Sequence, residues 1–159
     1  MSTAAPRLNV FTSPVMSKFN KYIVGASKAL EGSPLPASTL HLIELRASQI
    51  NGCAYCVDMH SKDAAEAGET SVRINLVATW REATVFTDAE RAALELTEAG
   101  TRLRDQTGVD DEVWANAAKY YDEEQLAALV AAIALINAFN RENIILKQPA
   151  GDYVPGQFA

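Results

Sequence analysis

Asp122-Glu123-Glu124-Gln125-Leu126-Ala127-Ala128-Leu129-Val130-Ala131-Ala132-Ile133-Ala134-Leu135-Ile136 is the stretch that decides the fold. An Asp followed three residues later by a Gln is a capping box, in which each side chain bonds the other residue's backbone N–H. Behind it run eleven apolar residues, Leu126 to Ile136. A membrane span needs about 20, so the run predicts a buried core helix. Being apolar nearly all round, this helix needs neighbours on every side, and a second subunit is one way to supply them.

Working outward, prolines stand at 6, 14, 34, 36, 149 and 155, leaving none from Ala37 to Gln148. So long a stretch without a helix breaker, rich in Ala, Leu and Glu, predicts consecutive helices. No alternating β-branched run bounded by tight-turn residues interrupts it, and no βαβ rhythm does either. The expected fold is all-α, with six or seven helices in one domain over residues 1–159. Ser13-Pro14 predicts an N-cap with proline at the first helical position. Val15, Phe19, Tyr22, Ile23, Ala26 and Leu30 then predict a buried stripe ending near Gly32. Further helices are expected over Leu40–Asn51, Cys53–Ala67 and Ser71–Trp80, the last with Val72, Leu76, Val77 and Trp80 on its apolar side. Thr87-Asp88-Ala89-Glu90 is a second capping box, opening a helix towards Leu103. A helix over Asp110–Tyr121 precedes the apolar one, and glycines 52, 68, 100 and 108 fall where helices should stop.

Composition excludes several function classes. In 159 residues, 48% are hydrophobic and 21% charged, which is ordinary globular usage rather than disorder. Fourteen Lys and Arg against 20 Asp and Glu give a net charge of -6, unsuited to gripping nucleic acid phosphates. Met1 to Val10, interrupted by Pro6 and Arg7, has no apolar core of signal-peptide length. A soluble, cytoplasmic protein is therefore expected, with neither nucleic acid nor membrane as a partner.

The chain's rare reactive side chains are concentrated. Ile50-Asn51-Gly52-Cys53-Ala54-Tyr55-Cys56-Val57-Asp58-Met59-His60 holds both cysteines and one of two histidines, and His41 stands just upstream beside Glu44. A bridge between Cys53 and Cys56 closes a tiny loop, and cross-link stabilisation grows with loop length, so a structural disulfide is a poor explanation. Cys53, Cys56 and His60, with His41 or Glu44, have the types to hold zinc. Structural zinc sites more often draw on two separated knuckles, however, and no second C-x-x-C exists here. Covalent haem needs His directly after the second cysteine, where Val57 stands. No metal or other cofactor is expected.

Redox chemistry has a mechanism. Gly52 should end one helix and place Cys53 in the first turn of the next, where free N–H groups and the helix dipole favour a thiolate. His60 lies four residues beyond Cys56, on the same helix face, and can accept its proton directly or through a water. His41 and Glu44, three apart, share a face of the preceding helix and either can orient His60 or pass protons onward. A thiolate attacking a peroxide O–O bond gives a sulfenic acid, which the partner cysteine condenses to a disulfide. An external dithiol must then reduce that disulfide. The dipole favours Cys53 and His60 favours Cys56. Because the dipole effect is worth only about 0.3–1 kcal/mol at exposed sites, Cys56 is the expected nucleophile.

Leu42-Ile43-Glu44-Leu45-Arg46-Ala47-Ser48-Gln49-Ile50-Asn51-Gly52 followed by the cysteine segment resembles the core of the AhpD-like alkylhydroperoxidases. These belong to the carboxymuconolactone decarboxylase superfamily. The likeness continues through Ala65 and Gly68, through Ala134 to Arg141, and into Gln148-Pro149-Ala150-Gly151-Asp152-Tyr153. It implies an all-helical fold, a homotrimer or homohexamer, and thiol-dependent reduction of small organic hydroperoxides. Carried over, Cys56 is peroxidatic, Cys53 resolving and His60 the activating base, with a helix carboxylate completing a proton relay. A dithiol or lipoyl-bearing protein is the implied reductant, and a peroxiredoxin an implied partner. Two positions depart from the pattern. His41 stands where the family has its relay glutamate, with Glu44 one turn later, and Tyr55 replaces a histidine between the cysteines. The competing readings are a lyase acting on a lactone, which generally lacks the C-x-x-C pair, and a non-enzymatic redox-sensing oligomer.

Overall fold

Side-chain caps open several of the helices. Thr87 and Glu90 close one capping box, and Asp122 and Gln125 close the other. Ser13 accepts a bond from the Met16 N–H, with Pro14 at the first helical position. The computed structural model describes residues 5–103 and 108–157. Among these it contains seven α-helices and no strand: α1 (Pro14–Ser27), α2 (Ala37–Asn51), α3 (Ala54–Glu66), α4 (Ser71–Leu76), α5 (Asp88–Thr101), α6 (Asp111–Ala117) and α7 (Glu123–Leu146). Short 3-10 turns at Lys28–Leu30 and Val77–Thr79 extend α1 and α4. The all-α expectation holds.

Two helices organise the rest. The start of α7 meets the segment before α2, where Gln125 Nε2 donates to the Pro34 carbonyl at 3.1 Å. At the far end Asn51 Nδ2 donates to Asn140 Oδ1 at 2.8 Å, so α2 and α7 run side by side in one direction. Ile43, Ala93, Leu96, Leu129, Ala132 and Ile133 fill the space between α2, α5 and α7. Leu42, Leu45, Val77, Trp80, Phe86 and Leu94 form a second cluster between α2, α4 and α5. Burying one such side chain is worth about 1.5–3 kcal/mol. At 24 residues α7 is long enough to cross a membrane, but Asn137 and Asn140 are buried in it beside its neighbours, as befits a core helix.

A buried carboxylate ties α2, α4 and α5 together. Glu98 is 4% exposed and receives Arg46 Nη2 at 2.6 Å, Arg81 Nη1 at 2.5 Å, Arg102 Nη1 at 3.1 Å and Trp80 Nε1 at 2.9 Å. Burial pushes this carboxyl up, but those donors outweigh it and hold the group at about 2. Four donors around one buried charge meet the requirement that such a charge be paired and fully hydrogen-bonded.

Several sequence expectations need correction. The stripe on α1 is not buried: Val15 is 76% exposed and Tyr22 64%, with Phe19 also exposed. The periodicity is real, but among the described residues the main contacts of α1 are with α7 and its own 3-10 extension, and these leave its apolar face exposed. Gly100 does not stop α5. It lies inside the helix, where an added Cβ would come within 3.1 Å of Ile133 Cγ2, so its smallness serves close packing on α7. Helix α2 starts at Ala37 directly after Pro36, three residues before expectation, because proline is tolerated at a helix start. Helices α4 and α6 are shorter than expected, each continuing as turns.

Candidate active site

The thiols are placed by the junction of α2 and α3. Gly52 ends α2 in the left-handed region, φ 71°, a conformation that costs a residue with Cβ. The Gly52 and Cys53 N–H groups close the helix end on the Gln49 and Ser48 carbonyls at 3.2 and 3.0 Å. The chain then turns at once into α3, and Cys53 becomes its N-cap, with Sγ accepting from the Cys56 N–H at 3.4 Å. The expectation that Cys53 opens this helix holds within one residue.

Both cysteines are free and buried, and their Sγ atoms are 2.9 Å apart, within hydrogen-bonding distance. Such a pair shares one proton before it loses the second. The hydrogen bond between the two sulfurs, with backbone N–H groups and nearby His60, outweighs burial and brings Cys53 down to about 7. Cys56 is pushed up, by that same hydrogen bond, by burial and by the charge on Cys53. Contact between the sulfurs thus favours charge on Cys53, while amides of Asn143 and Asn140 favour charge on Cys56.

His60 is buried one turn beyond Cys56. Its Nδ1 lies 3.3 Å from Glu44 Oε2, and its buried Nε2 has no hydrogen-bond partner among the described residues. Of the two residues singled out on α2, the structure thus brings Glu44 to His60. His41 is half-buried with Nδ1 likewise unpartnered, and it makes no bond to Glu44 or His60. Among the described residues, no cluster of metal-ligating side chains is assembled.

Sequence reasoning missed what α7 contributes. Asn143 Nδ2 lies 3.3 Å from Cys56 Sγ. One turn earlier, Asn140 Nδ2 donates to Ser48 Oγ at 3.0 Å, and Ser48 Oγ donates to the Glu44 carbonyl at 2.7 Å. Asn51 Nδ2 bridges Asn137 and Asn140, and Asn137 Nδ2 reaches Thr101 Oγ1 at 3.0 Å. Asn137 Nδ2 also donates to the Ile133 carbonyl at 2.8 Å. The visible signal was Asn at 137, 140 and 143, a polar file at three-residue spacing on a helix otherwise apolar. It marks the side turned to α2 and α3.

The C-terminal tail braces the same region. Asp58 accepts from the Gly151 and Tyr153 N–H groups at 2.9 and 3.3 Å, and Lys62 Nζ donates to the carbonyls of the same two residues at 3.1 and 2.8 Å. Tyr153 is buried, and its hydroxyl donates to Asp63 Oδ1 at 2.8 Å. Asp58 is thus both an ion-pair residue with Lys62 and an anchor for the tail.

Comparison with known proteins gives concordant results. Residues 17–99 match the carboxymuconolactone decarboxylase family. The uncharacterized protein YdfG of Bacillus subtilis (strain 168) is 40% identical over 79% of this chain and 85% of its own length. A protein of unknown function from Agrobacterium tumefaciens, ATU0492, named as a candidate antioxidant-defence AhpD, is 34% identical, with a TM-score of 0.85 over 93% of this chain and 99% of that one. The debrominase Bmp8 shares the fold at 20% identity, with a TM-score of 0.76 over 96% of this chain and 94% of its own. The helices, the thiol hairpin and these likenesses agree: the chain belongs to the carboxymuconolactone decarboxylase family and has its AhpD-like fold.

Proposed function

We propose that this chain is a thiol-dependent peroxidase that reduces small organic hydroperoxides. The observation that carries the reading is the pair of free thiols in contact, Cys53 and Cys56, backed by the His60–Glu44 pair. Cys56 attacks the distal peroxide oxygen, forming an S–O bond as the O–O bond breaks, and the alkoxide leaves with a proton from His60. Cys53 then displaces hydroxide from the Cys56 sulfenic acid, giving a disulfide and water. Two thiols and one hydroperoxide thus become one disulfide, one alcohol and one water. The preference for charge on Cys53 does not oppose this order. The sulfurs are close enough for the shared proton to cross, and the cross-over leaves Cys56 anionic and Cys53 protonated.

The disulfide is recycled by a dithiol or lipoyl-bearing reductant in a reducing cytoplasmic compartment, and no cofactor enters the cycle. A peroxiredoxin is a further partner for the reduced form. The working unit is a homotrimer or homohexamer, which supplies the cover that the α1 face lacks. The fold by itself does not choose the reaction, since the debrominase Bmp8 shares it. The C-x-x-C pair supports the peroxidase reading and counts against the lyase one.

The test is turnover of an organic hydroperoxide with a dithiol reductant, for the wild type and for the double replacement of Cys53 and Cys56 by Ser. Turnover that needs the pair supports the proposal; equal turnover in the doubly substituted protein removes it.

A further inference from the structure

Charge on Cys56 needs more support than its own segment supplies. The Cys56 N–H is turned to Cys53 Sγ, and any charge on Cys53 works against charge on Cys56. Burial in a site 0% exposed adds to the cost. His60 stands one turn away, with Nδ1 committed to Glu44 on α2. Tyr55, next to Cys56, is itself pushed up by burial and by the charges of Cys56 and Asp58, and Asp58 is taken up by Lys62 and the tail. What remains is α7, which brings the side-chain amides of Asn140 and Asn143. Asn140 has its Nδ2 on Ser48 and its Oδ1 on Asn51. The Nδ2 of Asn143 reaches Cys56 Sγ at 3.3 Å.

We propose that Asn143 is a catalytic residue, whose amide N–H donates to Cys56 Sγ and holds negative charge on that sulfur as it becomes the nucleophile. The inference rests on the peroxidase reading for the reaction served, but the hydrogen bond acts on the thiol whatever the electrophile. An amide suits the role because Nδ2 has no proton to lose across the working pH range and cannot be turned into an acceptor by titration. Hydrogen bonds that favour the charged form lower a thiol's pKa.

The backbone fixes this donor from both sides. The Asn143 carbonyl accepts from the Gln148 N–H at 3.0 Å, at the left-handed C-cap formed by Lys147. Three residues on, Gly151 is bonded to Asp58, two residues past Cys56. The tail therefore joins the turn that carries Asn143 to the turn that carries its target, closing a short ring of contacts around the sulfur.

The test titrates Cys56 alone, by the pH dependence of iodoacetamide alkylation in the full chain carrying Cys53→Ala. Asn143→Ala should raise the midpoint by about one pH unit, the size expected for loss of one hydrogen bond to a charged group. Asn143→Asp, which keeps shape and packing but puts a carboxylate against the sulfur, should raise it further. It also serves should the alanine variant fold poorly. An unchanged midpoint in Asn143→Asp overturns the proposal. No peroxide is used, so the outcome is separate from the peroxidase reading. A shifted midpoint beside an absence of wild-type peroxide turnover would discard that reading and leave Asn143 in its role.

Discussion

Glu44 Oε2 stands 3.3 Å from His60 Nδ1, so the carboxylate, and not His41, is the α2 group brought to this imidazole. In the proposed reaction, a proton on Nδ1 facing Glu44 would leave Nε2 as the basic nitrogen. His60→Ala should lower peroxide turnover by about 10²–10⁴-fold, the usual contribution of a general acid–base. Glu44→Gln should cause a smaller loss, and His41→Ala a smaller one still. Steady-state rates with a saturating dithiol check the order; a His41 effect exceeding that of Glu44 would reverse the relay.

The two cysteines should differ in what peroxide leaves on them. Cys53→Ser should accumulate a sulfenic acid on Cys56, detectable by mass after trapping with a carbon nucleophile, and should not form the internal disulfide. Cys56→Ser should show neither turnover nor a trapped adduct. A stable adduct on Cys53 in that variant would exchange the two roles.

The position of Cys53 has consequences for pH. With its thiol brought from an ordinary 9.0 to about 7, the fraction of charged pair should climb through pH 7. Thiolate absorbance near 240 nm should follow with a midpoint of about 7. Linkage fixes the sign for stability. A group depressed in the folded state stabilises fully above its unfolded value and loses that contribution as pH falls through the folded one. The reduced protein should therefore gain stability from pH 7 to 9 relative to Cys53→Ser, as denaturant midpoints would record.

Glu98 predicts behaviour in acid. Held at about 2 instead of its ordinary 4.5, it stabilises fully above 4.5, and that contribution drains away as pH falls towards 2. Glu98→Ala should cost about 3 kcal/mol at neutral pH, since Arg46 and the Trp80 N–H lose a buried partner. The variant's unfolding curve should also be flatter between pH 4.5 and 2 than the wild type's.

Exposed Val15, Phe19 and Tyr22 predict association through α1. Sedimentation should give a trimer or hexamer for the wild type, and Phe19→Lys with Tyr22→Lys should reduce it to smaller species. A monomeric wild type would end the oligomer proposal.

What was legible in the sequence was mostly local. Thr87 with Glu90, and Asp122 with Gln125, announce helix starts because the bonds they make span three residues. Gly52 and the cysteines read correctly for the same reason: the αL turn and the N-cap lie within one short segment. The α1 stripe showed a face but not its partner, because periodicity says which residues cluster and nothing of what covers them. His41 and Glu44 shared a face in the sequence, and only the angle between α2 and α3 selects Glu44. Asn143 lies 87 residues from Cys56, and that pairing depends on the relative register of α3 and α7, which no local pattern encodes.

The contact between Cys53 and Cys56 bears on communication. Because the sulfurs already touch within a single turn of α3, making the bond between them displaces little of the backbone. Oxidised and reduced molecules should then present nearly the same surface to their surroundings. A device meant to report redox state would want the opposite, a bridge that drags distant elements together. What this arrangement offers is quiet cycling: many turnovers without advertising any of them.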